Sequence, residues 1–135
     1  MERGKINFRE RSRQIRDYSG LRYKNITPTD IDGFLEIQDK VFIFLEFKTG
    51  KTQLTFGQEL ALERLCDNTN RPTILIIAKH NHSIDEDIDA AKCQVVKYRY
   101  ARKWYNANPG KTVKFLIDRF LIKNKLSIYL EKDFQ

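Results

Sequence analysis

Asp32, Glu46 and Lys48 have the residue types and the spacing needed for chemistry on a phosphate ester. Glu46 and Lys48 are two residues apart in a run rich in β-branched and aromatic residues, so on a strand their side chains point to the same face. Two carboxylates beside an amine suit a divalent cation and a phosphodiester, and the backbone carbonyl of Phe47 offers a further oxygen ligand. We therefore predict that Asp32 and Glu46 hold a metal ion and that Lys48 orients the attacking water or stabilises the transition state.

The segment that carries these residues is predicted to be a β-hairpin. Residues 30–37 alternate in polarity, residues 38–40 (Gln-Asp-Lys) form a turn, and residues 41–48 follow as a second strand. The alternation puts Asp30 and Asp32 on one face, so either acid is a candidate for the first ligand. We prefer Asp32 because it lies inside the predicted strand, and Asp30, on the same side, is a candidate to assist it.

Helix and strand patterns alternate along the rest of the chain. Thr55 and Gln58 have the spacing of a capping box, which predicts the start of a helix. We predict helices over 5–18, 56–67 and 112–124, strands buried on both faces over 41–48 and 73–78, a strand over 94–100, a loop or short helix over 81–91 and a loop over 102–110. This order indicates an α/β fold, a mixed β-sheet flanked by helices, in a single domain over residues 1–135.

The net charge of +7 is unevenly distributed. Residues 1–25 hold eight Lys and Arg against three Asp and Glu, and residues 92–125 hold ten against one, whereas residues 26–91 hold six against twelve. An acidic centre between two basic arms fits a metal site flanked by a surface that binds phosphates. An ordinary solvated basic surface is the alternative interpretation of the same charges.

One stretch, residues 97–105, interleaves cations with aromatic residues. Such a stretch can bind phosphates and stack on unpaired bases, or its aromatic residues can pack on the sheet with the cations outside. The predicted contacts to nucleic acid are Arg9, Arg13, Lys51, Lys97, Arg99, Arg102, Lys103 and Trp104.

Several other classes of function are disfavoured. The two cysteines, Cys66 and Cys93, lack metal spacing and are too few for a disulfide framework, so we expect buried thiols. The sequence has no apolar stretch of the length of a membrane span, and its first residues are charged, so we expect no membrane partner and a cytoplasmic location in a bacterial, archaeal or phage-infected cell. The sequences around Gly50-Lys51-Thr52 and Gly110-Lys111-Thr112 lack the earlier glycine of a nucleotide-binding loop.

Asp32 together with Glu46-Phe47-Lys48 resembles the motif of the PD-(D/E)XK nuclease superfamily, an acid on one strand and Glu/Asp-x-Lys on the next. Gln58 matches a position on the following helix where many members carry a glutamine near the active site. Glu10 resembles the acid that Holliday-junction resolvases of this superfamily contribute to the metal. The resemblance covers about residues 5–80.

The resemblance implies a restriction-endonuclease-like core of the α-β-β-β-α-β type and a DNA endonuclease that depends on Mg²⁺ or Mn²⁺. It implies a catalytic set of Asp32, Glu46, Lys48 and Gln58, and a metal held by Asp32, Glu46 and the Phe47 carbonyl, with Glu10 and Asp30 as further candidates. Resolvases of branched or four-way-junction DNA and compact phage nucleases are the most similar classes, and such enzymes commonly act as homodimers. A non-catalytic nucleic-acid-binding module on the same fold is the alternative.

Overall fold

The computed structural model of the chain describes residues 17–49, 54–80 and 87–130. Contacts divide the chain into two compact units, residues 1–30 and residues 31–135. The described part of the first unit holds a short 3₁₀ helix, Ser19–Leu21, and an isolated bridge between Tyr23 and Ile26. The predicted helix over 5–18 lies outside the described residues except for its last two residues, which are not helical.

The second unit is built on a five-stranded mixed sheet, which confirms the predicted α/β class. The strands lie side by side in chain order, β2 and β3 are parallel, and the other neighbours are antiparallel. The elements are β1 (Gly33–Ile37), β2 (Val41–Thr49), α1 (Phe56–Asp67), β3 (Thr73–His80), β4 (Gln94–Tyr100), β5 (Lys103–Asn106) and α2 (Val113–Lys123). None of the helices in the described ranges has the length and apolar character that crossing a membrane requires.

The two central strands, β2 and β3, carry apolar side chains on both faces because a helix covers each face. We call the two sides the α1 face and the α2 face. Phe44, Leu75 and Ile77 pack with Leu62 and Cys66 of α1 on the first. On the α2 face the sheet residues Ile43, Ile74, Ile76 and Val95 pack with Val113, Phe120 and Leu121 of α2. The prediction of buried strands is therefore confirmed.

Helix α1 joins the parallel strands, so its N-terminus lies toward the carboxyl ends of β2 and β3. It begins where the sequence predicts: Thr55 caps it, the Thr55 hydroxyl accepts from the Gln58 backbone N–H at 3.2 Å, and the Gln58 side chain accepts from the Thr55 backbone. Thr112 caps α2 in the same way through Phe115 N–H. The carboxyl ends of parallel strands beside a helix N-terminus are a common place for a ligand site.

Three details differ from the predicted elements. Residues 103–106 form β5 instead of a loop, because Ala101 and Arg102 adopt positive φ angles of 52° and 65° and close a tight hairpin with no Asn-Gly signal in the sequence. Strand β1 begins at Gly33, so Asp32 lies just outside it. Two strands, not three, precede α1 among the described residues.

Three acids of α1, spaced four residues apart, bond side chains of β4 and β5 on the α1 face. We call this set the acid–base ladder. Its pairs are Glu59 with Lys97, Glu63 with Trp104 and Asp67 with Arg99. Because each rung joins the helix to β4 or β5, the ladder fixes how α1 lies on the sheet.

The rung between Asp67 and Arg99 is the most buried. The Arg99 guanidinium donates to both oxygens of Asp67, at 2.8 and 2.7 Å, and both side chains are nearly enclosed. This hydrogen bonding lowers the pKa of the Asp67 carboxyl and raises the pKa of Arg99. Removing Asp67 would leave the enclosed Arg99 with only Glu63, at 3.4 Å, as an acidic partner, which is costly.

We expect Asp67→Ala to lower the free energy of unfolding by about 3 kcal/mol at neutral pH, measured by urea denaturation. Since the pKa of Asp67 is lowered in the folded protein, its contribution is present above the usual range of aspartate and is lost as the pH falls, so the two proteins should converge in acid. Asp118→Ala removes an exposed i,i+4 pair with Lys114 and should cost less than about 0.5 kcal/mol. Equal losses in the two variants would contradict the role of the ladder.

Candidate active site

Glu46 carries its carboxylate into the enclosed part of the α1 face. The residue is 3% exposed, although it lies near the carboxyl end of β2. Oε1 of Glu46 lies 3.4 Å from Nζ of Lys48, whose side chain is 19% exposed. The two side chains share a face because they are two residues apart on one strand, as the sequence predicts.

Asp32 reaches the same place from the neighbouring segment. The register pairs Gly33 with Leu45, so Asp32 lies opposite Glu46, one position beyond the end of β1. Oδ2 of Asp32 accepts the backbone N–H of Phe47 at 2.8 Å. The prediction that Asp32 lies inside a strand is wrong because its side chain, instead of its backbone, bonds β2 at this point. The hydrogen bond nevertheless holds the acid next to Glu46.

The electrostatics of Glu46 reflect this crowding. Burial raises the pKa of the Glu46 carboxyl, and the negative charge of Asp32 raises it further. The charge of Lys48 and hydrogen bonding from Lys48 and from the Asp32 backbone oppose the rise without cancelling it. Ionised Glu46 is therefore less stable in the folded protein than it would be in water, and a cation at this position would relieve that cost.

Glu46 has an oxygen available for such a cation. Oε2 is buried, and no donor from the described part of the chain reaches it. Buried polar atoms nearly always have a partner, so an unpaired carboxylate oxygen calls for an explanation. The hydrogen bond to Phe47 uses one of the two oxygens of Asp32. Two carboxylates that face each other with unbonded oxygens fit a Mg²⁺ or Mn²⁺ ion, which prefers oxygen ligands and keeps several waters.

The site has two acids in the described ranges, and no group of three or more His, Cys, Asp or Glu side chains converges there. Asp30 is exposed and belongs to the first unit, whereas Asp32 and Glu46 belong to the second. Glu10, the other predicted ligand, lies outside the described residues. Within the described ranges, the Phe47 carbonyl is the further oxygen that the sequence predicts for the metal, and water or a substrate phosphate could complete its coordination.

Gln58 caps helix α1, which is the structural role that the Thr55–Gln58 spacing predicts. Its Oε1 accepts from the backbone N–H of Thr55 at 3.3 Å, within the capping box of α1. The hydrogen bonds of the Gln58 side chain among the described residues all go to Thr55, and none goes to Asp32, Glu46 or Lys48. Its predicted part in catalysis stays a prediction.

Lys79 is a residue that the sequence reasoning missed. The parallel register pairs Lys48 with Lys79, so the two side chains lie on the α1 face on adjacent strands. Lys79 is exposed, and none of the described acids pairs with it. The signal was present in the sequence, since Lys79 ends the apolar run of the next strand, but only the parallel register links it to Lys48.

The predicted contacts to nucleic acid fall into three groups. Arg9, Arg13 and Lys51 lie outside the described residues. Arg102 and Lys103 are exposed at the hairpin between β4 and β5. The other three, Lys97, Arg99 and Trp104, belong to the acid–base ladder.

The ladder limits what its members offer to a ligand. The Lys97 amine lies 4.5 Å from the centre of the Trp104 ring and so covers one face of the indole. Arg99 is buried and donates to Asp67. Trp104 therefore packs on the sheet as the alternative predicts, whereas Lys97 and Arg99 are bonded to acids of α1 instead of lying outside. The role of all three in binding nucleic acid stays a prediction.

The cysteines take no part in the site. Cys66 and Cys93 are free and buried, as predicted. Burial raises the pKa of the Cys66 thiol to about 11, so it is protonated and poorly nucleophilic at neutral pH.

Comparison with known proteins adds no assignment: no protein-family model, curated protein or solved structure matches the chain. The geometry of Asp32, Glu46 and Lys48 is therefore the basis for assigning a function to this protein.

We expect Glu46→Gln to unfold at a higher temperature than the wild type at neutral pH in EDTA. The raised pKa of Glu46 means that its ionised form destabilises the folded protein, and this cost is absent below pH about 4, where the carboxyl is protonated in both folded and unfolded chains. The gain should therefore shrink as the pH falls. Thermal unfolding followed by circular dichroism measures it.

Glu36→Gln is the matched control, because Glu36 is an exposed glutamate on the adjacent strand, and this change should have little effect at any pH. A wild type that is more stable than Glu46→Gln at neutral pH without metal would contradict the electrostatic description of the site.

Proposed function

We propose that this protein is a metal-dependent endodeoxyribonuclease that hydrolyses DNA phosphodiester bonds, with a restriction-endonuclease-like core and Mg²⁺ or Mn²⁺ as its cofactor. The proposal depends on one observation: Asp32, Glu46 and Lys48 lie next to one another at the end of β2. One carboxylate oxygen of Glu46 is buried there, and no donor among the described residues bonds to it. These are the three residues through which the chain resembles the PD-(D/E)XK nucleases. A homodimer, which would give two cuts on two strands, is part of the same proposal.

Each residue has a distinct task in this reaction. Asp32 and Glu46 bind the metal, which when bound supplies positive charge to the phosphate and acidifies a water. Lys48 donates hydrogen bonds to the attacking water or to the phosphate oxygen that gains charge. The oxygen of the water forms a bond to phosphorus and loses a proton to solvent, the bond from phosphorus to one bridging oxygen breaks, and the released oxygen takes up a proton from solvent.

The pairing of Lys48 with Glu46 supports an active role over simple binding. A non-catalytic nucleic-acid-binding module would gain nothing from a buried carboxylate with an unpaired oxygen, since this arrangement lowers stability and repels phosphate. The same carboxylate becomes useful once a divalent cation neutralises it. We therefore favour the enzyme over the binding module.

Lys79 has a separate task in the proposal. It stands beside Lys48 at the carboxyl ends of the parallel strands, and no acid in the described ranges neutralises it. An exposed amine at this position suits a phosphate of the bound strand next to the one that is cut. Lys79 would therefore hold the substrate while Lys48 acts on the reacting group.

We expect Lys48→Ala to slow cleavage at least about 100-fold, because it removes a donor to the transition state. Asp32→Asn and Glu46→Gln should remove the metal-dependent activity, and EDTA should abolish it in the wild type. The assay uses single-stranded, duplex, flapped and four-way-junction DNA with Mg²⁺ or Mn²⁺.

The control for Lys48 is Lys40→Ala, an exposed lysine in the turn that precedes β2, which should cleave like the wild type. Asp30→Asn separates the two candidate acids, and retained activity would assign the metal to Asp32. If the wild type cuts none of these substrates with either metal, the proposed activity is wrong.

We expect Lys79→Ala to weaken DNA binding in EDTA and to lower the slope of log affinity against log salt concentration by about 1, as the loss of one phosphate contact requires. Fluorescence anisotropy at several salt concentrations measures this slope. Lys40→Ala is again the control. An unchanged slope in Lys79→Ala would exclude a phosphate contact at this residue.

A further inference from the structure

An exposed aromatic residue, Phe34, lies beside the candidate active site. It is 54% exposed, although large aromatic side chains usually bury most of their surface. Phe34 pairs with Phe44 across β1 and β2, so its ring lies on the α1 face with Glu46 and Lys48. Only Gly33 separates it from Asp32 in the chain. An aromatic ring is thus available to solvent within one strand pairing of the proposed metal ligands.

The ring is held in a fixed orientation. Its centre lies 5.0 Å from that of Phe44 with an angle of 15° between the planes, and 5.9 Å from that of Phe42 at 41°. Phe44 is buried in the cluster under α1, so it anchors the stack. Because β1 is the edge strand, Phe34 is the outer member of this stack.

We infer that Phe34 stacks on an unpaired base of the nucleic-acid strand whose phosphate lies at Asp32, Glu46 and Lys48. Every base has a π-face, so a fixed aromatic ring binds bases without regard to sequence. In a continuous duplex each base is stacked on its neighbours, and its faces are closed to a protein ring. The inference rests on the proposed function and narrows its substrate class to DNA that is single-stranded, flapped or branched near the cleaved bond.

Charge supports a nucleic-acid strand over a protein partner at this patch. Lys48 and Lys79 lie on the same face of the sheet as Phe34, and a divalent cation on Asp32 and Glu46 would offset the negative charge of those two acids. A strand that places its phosphate at these amines brings the attached bases to the neighbouring strands of the same face, where Phe34 lies. A hydrophobic peptide could pack on the Phe34 ring, but it would offer no negative charge to Lys48 and Lys79.

The test measures binding with Ca²⁺ in place of Mg²⁺ or Mn²⁺, so that a divalent cation offsets the charge of Asp32 and Glu46, and a gel checks that the DNA stays uncut. Phe34→Leu keeps an apolar side chain but removes the π-face, and Phe34→Trp enlarges it. Anisotropy titrations with a single-stranded oligonucleotide and with a blunt duplex of the same sequence compare these variants. Phe115→Leu, which alters a half-exposed phenylalanine of α2, is the matched control.

We expect Phe34→Leu to weaken binding of the single strand by about 5-fold or more, as the loss of one base–aromatic stack predicts. Blunt-duplex binding should change little, Phe34→Trp should bind the single strand at least as tightly as the wild type, and Phe115→Leu should match the wild type. Equal weakening on both DNAs, or a Phe34→Trp variant as weak as Phe34→Leu, would overturn the inference.

The two proposals fail in different ways. If Phe34 governs single-strand binding but the wild type cleaves no DNA with Mg²⁺ or Mn²⁺, stacking stands and the nuclease proposal is wrong. If the wild type cleaves DNA and Phe34→Leu cuts flapped and duplex substrates in the wild-type ratio, the nuclease stands and stacking is wrong.

Discussion

Burial of the Glu46 carboxylate beside Lys48 is the constraint on which the candidate site depends. This acid is buried, and Asp32 adds a second negative charge opposite it, so the pKa of Glu46 is raised. One lysine offsets part of this cost, and one oxygen is left without a described donor. Such a group makes physical sense as half of a cation site, because a divalent ion would neutralise both acids at once.

The remainder of the fold keeps this arrangement rigid. The parallel pairing of β2 with β3 and the capping of α1 by Thr55 bring the carboxyl ends of two strands and a helix N-terminus together. On the other side of α1, the acid–base ladder joins the helix to β4 and β5. Strand β1 extends beyond this cover, which leaves Phe34 open next to the acids. The acids are thus held by the sheet next to an aromatic residue that is open to solvent.

The sequence predicts the hairpin, α1, α2 and the buried strands because each has a strong local pattern, and it predicts the shared face of Glu46 and Lys48 because alternation on one strand is a local property. It could not predict β5, since the positive φ angles of Ala101 and Arg102 have no sequence signal. The partners of Lys97, Arg99 and Trp104 also escaped prediction, because they are acids more than thirty residues away on α1. The position of Lys79 beside Lys48 could not be predicted either, because it follows from the parallel register of β2 and β3.

The most direct test is a crystal of the protein soaked in Mn²⁺, with anomalous diffraction data collected to locate the metal. The account predicts a manganese peak in contact with one oxygen of Asp32 and with Oε2 of Glu46, and it predicts that the peak is lost in Glu46→Gln. A peak elsewhere, or no peak at these two acids at saturating Mn²⁺ while Glu46 stays paired with Lys48 alone, would contradict the central claim.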